Sequence, residues 1–119
     1  MSDTQKNLYK KLLGARGELK AKAFLKKKGY KILASNYSTK LGEVDLIGLY
    51  GDFLVFVEVK TRTSDNYGAP CEAVNDKKQQ HIKAVAQKYI LDNNLDNLQP
   101  RFDVIEVTKN NINHIEDAF

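Results

Sequence analysis

Glu58-Val59-Lys60 closes an apolar run, Phe53 to Val57, and its spacing is the first feature with chemical content. Side chains two apart on a strand project from one face, so Glu58 and Lys60 stand together while Val57 and Val59 face the other way. A carboxylate beside an ammonium is by itself an ordinary ion pair of small consequence. A second acid changes that. The preceding run, Gly42-Glu43-Val44-Asp45-Leu46-Ile47, sets Asp45 among apolar residues, where pairing of the two runs brings it towards Glu58. Two anions together in an apolar setting are costly unless a cation neutralises them, and oxygen ligands of this kind suit Mg²⁺ or Mn²⁺. Lys60 supplies only part of that charge. Glu18 adds a third carboxylate from a helical segment, on the flank it shares with Gly14, Ala21 and Leu25; a plain surface glutamate is the other reading.

Holding these groups together takes a sheet and a helix packed on it. From about Thr4 to Lys28, Leu8, Leu12, Ala15, Leu19 and Ala23 recur every three or four residues, the period of an amphipathic helix with that stripe as its apolar face. Gly29 stops it, and Lys26, Lys27 and Lys28 complement the negative end of its dipole. Gly14 and Gly17 sit inside the helix at a cost of about 1 kcal/mol each relative to alanine, so close approach of a backbone, a ligand or a densely packed strand is expected there.

Three strands follow, Tyr30 to Tyr37, Glu43 to Tyr50 and Phe53 to Thr61. Gly51-Asp52 makes the second and third an antiparallel hairpin, and the third, apolar on both faces, is expected at the centre of the sheet. After a polar, irregular stretch from Ser64 to Pro70, a second helix is predicted from an N-cap near Asn75 to about Asn93, with Ile82, Val85, Ala86, Tyr89 and Ile90 as its stripe. Pro100 then punctuates, Phe102 to Thr108 reads as a strand, and a turn at Asn110-Asn111 leads into a short one at Ile112 to Ile115. No repeat or linker divides the chain, so one α/β domain over residues 1–119 is expected, its core about 8–108.

Composition sets the surroundings. Apolar residues at 42% and charged residues at 29% are globular values, which excludes a disordered chain. A net charge of +4 favours phosphate-bearing partners. The single cysteine, Cys71, excludes a disulfide framework and any cysteine-rich zinc site, and fits a reducing compartment. Met1 to Lys11 has no signal-peptide core, and no run of about 18 apolar residues occurs, so a cytoplasmic protein free of the membrane is expected. His81 and His114 have no companion at metal-ligand spacing and are read as structural.

Four segments in order, Gly14-Ala15-Arg16-Gly17-Glu18-Leu19-Lys20-Ala21, Gly42 to Ile47, Phe56-Val57-Glu58-Val59-Lys60-Thr61-Arg62 and Arg101-Phe102-Asp103-Val104, resemble the YraN-like family of the restriction-endonuclease-like PD-(D/E)xK superfamily, which includes archaeal Holliday-junction resolvases. The resemblance spans most of the chain. It implies an α-β-β-β-α-β core, a mixed central sheet flanked by two helices, and catalytic roles for Asp45, Glu58 and Lys60, with Glu18 matching the helical acid of resolvase-like members. The superfamily's proline before the aspartate is replaced here by Val44. It further implies that Asp45, Glu58 and the Val59 carbonyl hold Mg²⁺ or Mn²⁺ while Lys60 orients a water, making the chain an endonuclease on structured or branched DNA in repair, recombination or DNA processing.

Thr61, Arg62 and Thr63 follow the catalytic strand with donors suited to a neighbouring phosphate, Arg62 foremost. Lys77, Lys78 and Gln79 start the second helix near its positive dipole end, an anion site or a solvated helix end. Tyr67 and Gly68 lie where a loop meets substrate or a second subunit, so a homodimer is compatible. Two other readings stay open: a non-catalytic nucleic-acid-binding or interaction module on the same fold, and a buried ion-pair network with no ligand at all.

Overall fold

Reciprocal capping starts the first helix. In the computed structural model, which describes residues 2–62 and 74–119, Ser2 Oγ accepts from the Gln5 N–H at 3.2 Å and Gln5 Oε1 accepts from the Ser2 N–H at 2.8 Å. Helix α1 runs Asp3–Lys27 and ends as Gly29 takes φ +101°, with the Gly29 and Tyr30 N–H groups donating to the Lys26 and Leu25 carbonyls. Strands β1 (Lys31–Thr39), β2 (Gly42–Tyr50) and β3 (Phe53–Thr61) follow, then α2 (Asp76–Asp92), β4 (Gln99–Val107) and β5 (Ile112–Ile115). The Asn75 side chain caps α2 as expected, accepting from the Lys78 N–H at 2.8 Å. The readings at Ser64 to Pro70, at Thr63, Tyr67 and Gly68, and at Cys71 lie outside the described residues.

The strands form one mixed sheet in the order β1-β2-β3-β4-β5, antiparallel except for β3 with β4. Helix α2 is the crossover that makes this pair parallel. β3 is the central strand and feeds both sides. Leu54 and Phe56 pack with Ile82, Val85 and Ala86 of α2, whereas Val55 and Val57 pack with Ala21 and Leu25 of α1. Burying side chains of this size contributes roughly 1.5–3 kcal/mol each, so the end of β3 is held from two cores at once. The expected α-β-β-β-α-β order and the flanking by two helices are both observed. Among the described residues no helix is long and apolar enough to cross a membrane.

Pro100 lies inside β4 rather than ahead of it. Its nitrogen faces away from β3, on the side where pairing with β5 begins only at Val104, so no ladder bond is lost.

The larger correction concerns α1. Leu8, Leu12 and Leu19 are 57, 55 and 66% exposed and Ala15 and Ala23 are exposed too, while the residues α1 buries are Gly17, Ala21 and Leu25. Small side chains, not the leucine stripe, select the packing face, because they let the helix descend onto the sheet. Gly17 lies directly over β3: an added Cβ would overlap Thr61 Oγ1 and stand 3.2 Å from Thr61 Cβ, so the threonine must rotate and the helix must still give by a few tenths of an ångström. Gly14 has nothing within 4 Å. Gly17→Ala is therefore expected to lose about 1–3 kcal/mol by overpacking, and Gly14→Ala to gain about 0.5–1 kcal/mol from helix propensity. Urea unfolding of the two variants checks this; equal gains from both would refute the close contact.

A buried charge network ties the far end of the sheet together. Asp103, fully buried on β4, accepts from Arg101 Nε at 3.0 Å, Arg101 Nη2 at 2.8 Å, His114 Nε2 at 2.7 Å and the Asp117 N–H at 3.0 Å. Arg101 Nη2 also donates to the Tyr30 hydroxyl at 2.5 Å. Lys28 Nζ donates to His114 Nδ1 at 2.9 Å, which leaves Nε2 facing Asp103. His114 is thus structural, as its isolation in the sequence implies.

Candidate functional site

The site grows from a split between β2 and β3. Their pairing runs from Tyr50↔Phe53 to Leu46↔Val57, and Asp45 and Glu58 stand one step beyond it. There β2 departs from regular alternation: Val44 packs in the α2-side core and Leu46 in the α1-side core, although residues two apart on a regular strand share a face. The bend turns the Asp45 side chain onto the β3 backbone, where Oδ2 accepts from the Val59 N–H at 2.8 Å. The carboxylate stands in for a missing strand partner. N–H and C=O of one strand residue point the same way, so the Val59 carbonyl opens towards Asp45 as well. Consistently, the Arg62 N–H, three residues on, faces the opposite way and donates to the Val107 carbonyl at 2.8 Å.

Glu58 lies on the α2 side of β3, its side chain 14% exposed. Lys78, from the first turn of α2, brings its ammonium to 3.6 Å from Glu58 Oε1. Among the described residues, Glu58 Oε2 is buried with no hydrogen-bond partner. Burial pushes the Glu58 carboxyl up to about 7, the Asp45 charge pushes the same way, and Lys78 and Lys60 act against both. Asp45 is also raised, by burial first, against the opposing Val59 hydrogen bond and the Lys78 charge. Glu18 reaches this group from α1, because Gly17 sets the helix down beside it. Its carboxyl is raised by burial and then by the Asp45 charge, with the Asn36 side chain acting against both. Asn36 itself takes φ +52°, a left-handed conformation that asparagine tolerates better than most residues.

The structure therefore brings together Glu18, Asp45, Glu58 and Lys60, all singled out from the sequence, and adds Lys78. Among the described residues, Glu18, Asp45 and Glu58, with the Glu43 charge acting on the first two, face the ammonium groups of Lys60 and Lys78, which leaves the cluster short of positive charge. Among the described residues no three His, Cys, Asp or Glu side chains converge as a complete metal-binding set. A Mg²⁺ held by two carboxylates, a main-chain carbonyl and waters does not need a third. The unpartnered Glu58 Oε2, the neighbouring Asp45 and the Val59 carbonyl fit such an ion.

The outer residues divide. Thr61 lies under Gly17, and Arg62 pairs with Glu106 at 3.1 Å. Gln79 Nε2 donates to the Val74 carbonyl at 2.8 Å, and Lys77 is exposed. The Lys78 N–H is taken by Asn75 and its ammonium faces Glu58, so α2 directs this cation to the carboxylates. That contact and the Asn36 contact escape a reading by spacing, since each joins segments far apart in the chain. A left-handed asparagine has no reliable signature in one sequence.

Fold and cluster together define a mixed α/β protein with an acidic site at a split in its central sheet. The chain belongs to the family described as Uncharacterised protein family UPF0102, whose sequence model matches residues 17–107. A UPF0102 protein of Caldanaerobacter subterraneus subsp. tengcongensis is 52% identical over 121 residues, covering 96% of this chain and 99% of the relative. One from Alkaliphilus oremlandii is 53% identical over 115 residues, covering 92% and 98%. One from Clostridioides difficile is 50% identical over 105 residues, covering 87% and 92%.

Proposed function

We propose that this chain is a Mg²⁺- or Mn²⁺-dependent endonuclease of the PD-(D/E)xK superfamily, hydrolysing phosphodiester bonds of structured or branched DNA in repair, recombination or DNA processing. The observation that supports this reading best is Glu58, a carboxylate held half out of water beside Asp45 with one oxygen unpartnered. Such an arrangement is expensive as structure and useful as a cation site.

Asp45 is fixed by the Val59 N–H, so one carboxylate oxygen is anchored and the other is presented to the split. Glu58 and the Val59 carbonyl complete the ligands on β3. These residues would hold a divalent ion, which would supply polarisation of the scissile phosphate and activation of a water. Lys60, on the face of Glu58, orients the attacking water and donates to the phosphate oxygens as negative charge develops. Glu18, at the outer side of the group, would position the ligands through water. The reading includes DNA as partner, the cytoplasm as compartment and a homodimer where two strands of a junction are cut.

The rival is a non-catalytic nucleic-acid-binding module, favoured by Lys78, whose ammonium already neutralises part of Glu58. Incubating the full chain with labelled single-stranded, duplex, flapped and four-way-junction DNA, with Mg²⁺, Mn²⁺ or EDTA, separates the two. Cleavage is expected only with metal, and Lys60→Ala is expected to slow it by at least a factor of about 100. Undiminished DNA binding without cleavage of any substrate would establish the module instead.

A further inference from the structure

A cavity of about 410 Å³ opens on the α1 side of the sheet, away from the carboxylates. One wall is α1, through Tyr9, Arg16 and Lys20, which share a helix face at spacings of seven and four. The opposite wall is the carboxyl ends of the parallel strands β3 and β4, through Thr61, Arg62 and Lys109. Among the described residues, four cations and no carboxylate line it. Arg62 is held in place by Glu106, whereas Arg16, Lys20 and Lys109 have no ion pair among the described residues. Tyr9 is 53% exposed, an aromatic ring left unburied beside clustered positive charge.

Cations surrounding one exposed ring suit a ligand with both a phosphate and a flat face. The volume falls within the range of small-molecule sites, and a concave pocket of this size does not admit a duplex. A base offers its face to an aromatic ring only when unstacked, so the ligand is an unpaired nucleotide. The cavity and the carboxylates flank one contact, Gly17 of α1 on Thr61 of β3. Glu18 adjoins the first of these residues and Lys60 the second, and Glu58 lies three residues, about 10 Å, from Thr61 along the strand.

We propose that this cavity binds an unpaired nucleotide of a DNA strand near the phosphodiester presented to Glu58 and Asp45, its base on Tyr9 and its phosphates on Arg16, Lys20 and Lys109. The site rests on the nucleic-acid reading of the carboxylate cluster, and it assigns the substrate class: DNA with an unpaired segment, such as a flap or frayed end.

Binding of labelled single-stranded and duplex oligonucleotides to the full chain, read by fluorescence anisotropy in EDTA, tests this without requiring cleavage. Tyr9→Ala is expected to weaken single-strand binding about tenfold, the effect of losing one base–aromatic stack, and to leave duplex binding unchanged. Arg16→Ala with Lys20→Ala is expected to weaken it further and to flatten the dependence of log K on log salt by about 1.4, two phosphate contacts at roughly 0.7 each. Lys26→Ala with Lys27→Ala removes the same charge from the exposed last turn of α1 and is expected to change the single-strand preference little. Equal losses from both charge pairs, or equal losses on duplex and single strand, would overturn the cavity in favour of a diffuse field. Competition by a nucleoside monophosphate as effective as the oligonucleotide would overturn it in favour of a free-nucleotide pocket. If the wild type cuts nothing while Tyr9→Ala still loses single-strand binding selectively, the endonuclease reading fails and the cavity stands.

Discussion

Replacing Asp103 by asparagine is expected to cost 3–5 kcal/mol, the range for breaking one partner out of a buried ion pair. Four donors converge on its two oxygens, and three of these bonds come from Arg101 and His114 side chains with no water in reach to replace the acid. An asparagine keeps the shape but turns an NH₂ towards a guanidinium whose other acidic neighbour among the described residues is the exposed Glu116, 4.0 Å away. Burial alone would push the Asp103 carboxyl up; the hydrogen bonds from His114, Arg101 and the Asp117 main chain outweigh it, and the group ends below its usual value. The sign follows: this contribution is fully present above the ordinary aspartate range and is lost as pH falls through the lowered value, so it shapes the acid limb of unfolding. Urea unfolding at neutral pH measures the loss. A cost below about 1 kcal/mol would mean that the network is solvated in solution. Arg101→Met with Asp103→Leu is expected to recover only part of the stability, since neither charge is left unpaired but the His114 Nε2–H and the Asp117 N–H lose their acceptor.

That network shows where a single sequence stops being informative. Arg101 and Asp103 alternate with Phe102 on a strand, the pattern of a half-exposed edge, and nothing local states that both charges are buried. Their partners Tyr30 and His114 lie 71 and 11 residues away, and only the sheet order brings them together. The catalytic candidates were legible for the opposite reason. Glu58 and Lys60 share a strand, and Asp45 lies across a short hairpin, so period and turn suffice to bring them near one another. β3 was legible to the residue because an apolar run bounded by turn residues leaves little freedom, and β5 because the Asn110-Asn111 turn fixes where its short run Ile112 to Ile115 begins. On α1 the period was right and the face wrong: leucines mark hydrophobicity, but the sheet accepts the face on which Gly17 and Ala21 permit close approach. The leucine stripe stays in solvent, and the face that packs is the one carrying Glu18 to the carboxylates.

Glu58→Gln is expected to make the metal-free protein more stable at pH 8 while removing its response to metal. The native Glu58 carboxyl titrates at about 7 against an ordinary 4.5, so between those values the folded chain holds a proton that the unfolded chain has released. Stability therefore falls as pH rises from about 4.5 to 7 and stays reduced above. At about 1.4 kcal/mol per pKa unit the wild-type deficit is on the order of 3 kcal/mol. Glutamine carries no charge to desolvate, and it forfeits only the ion pair with Lys78, a half-exposed ammonium contributing about 0–1 kcal/mol. A net gain of roughly 2 kcal/mol is thus expected at pH 8, shrinking towards zero near pH 5, where the wild-type carboxyl is already protonated. With saturating Mg²⁺ the order reverses: the wild type gains by binding linkage and the variant does not. Denaturant unfolding at the two pH values, with and without Mg²⁺, reads all four states. A variant less stable than wild type at pH 8 without metal would show that Lys78 neutralises Glu58 outright, leaving a structural ion pair where the endonuclease reading needs an open acid.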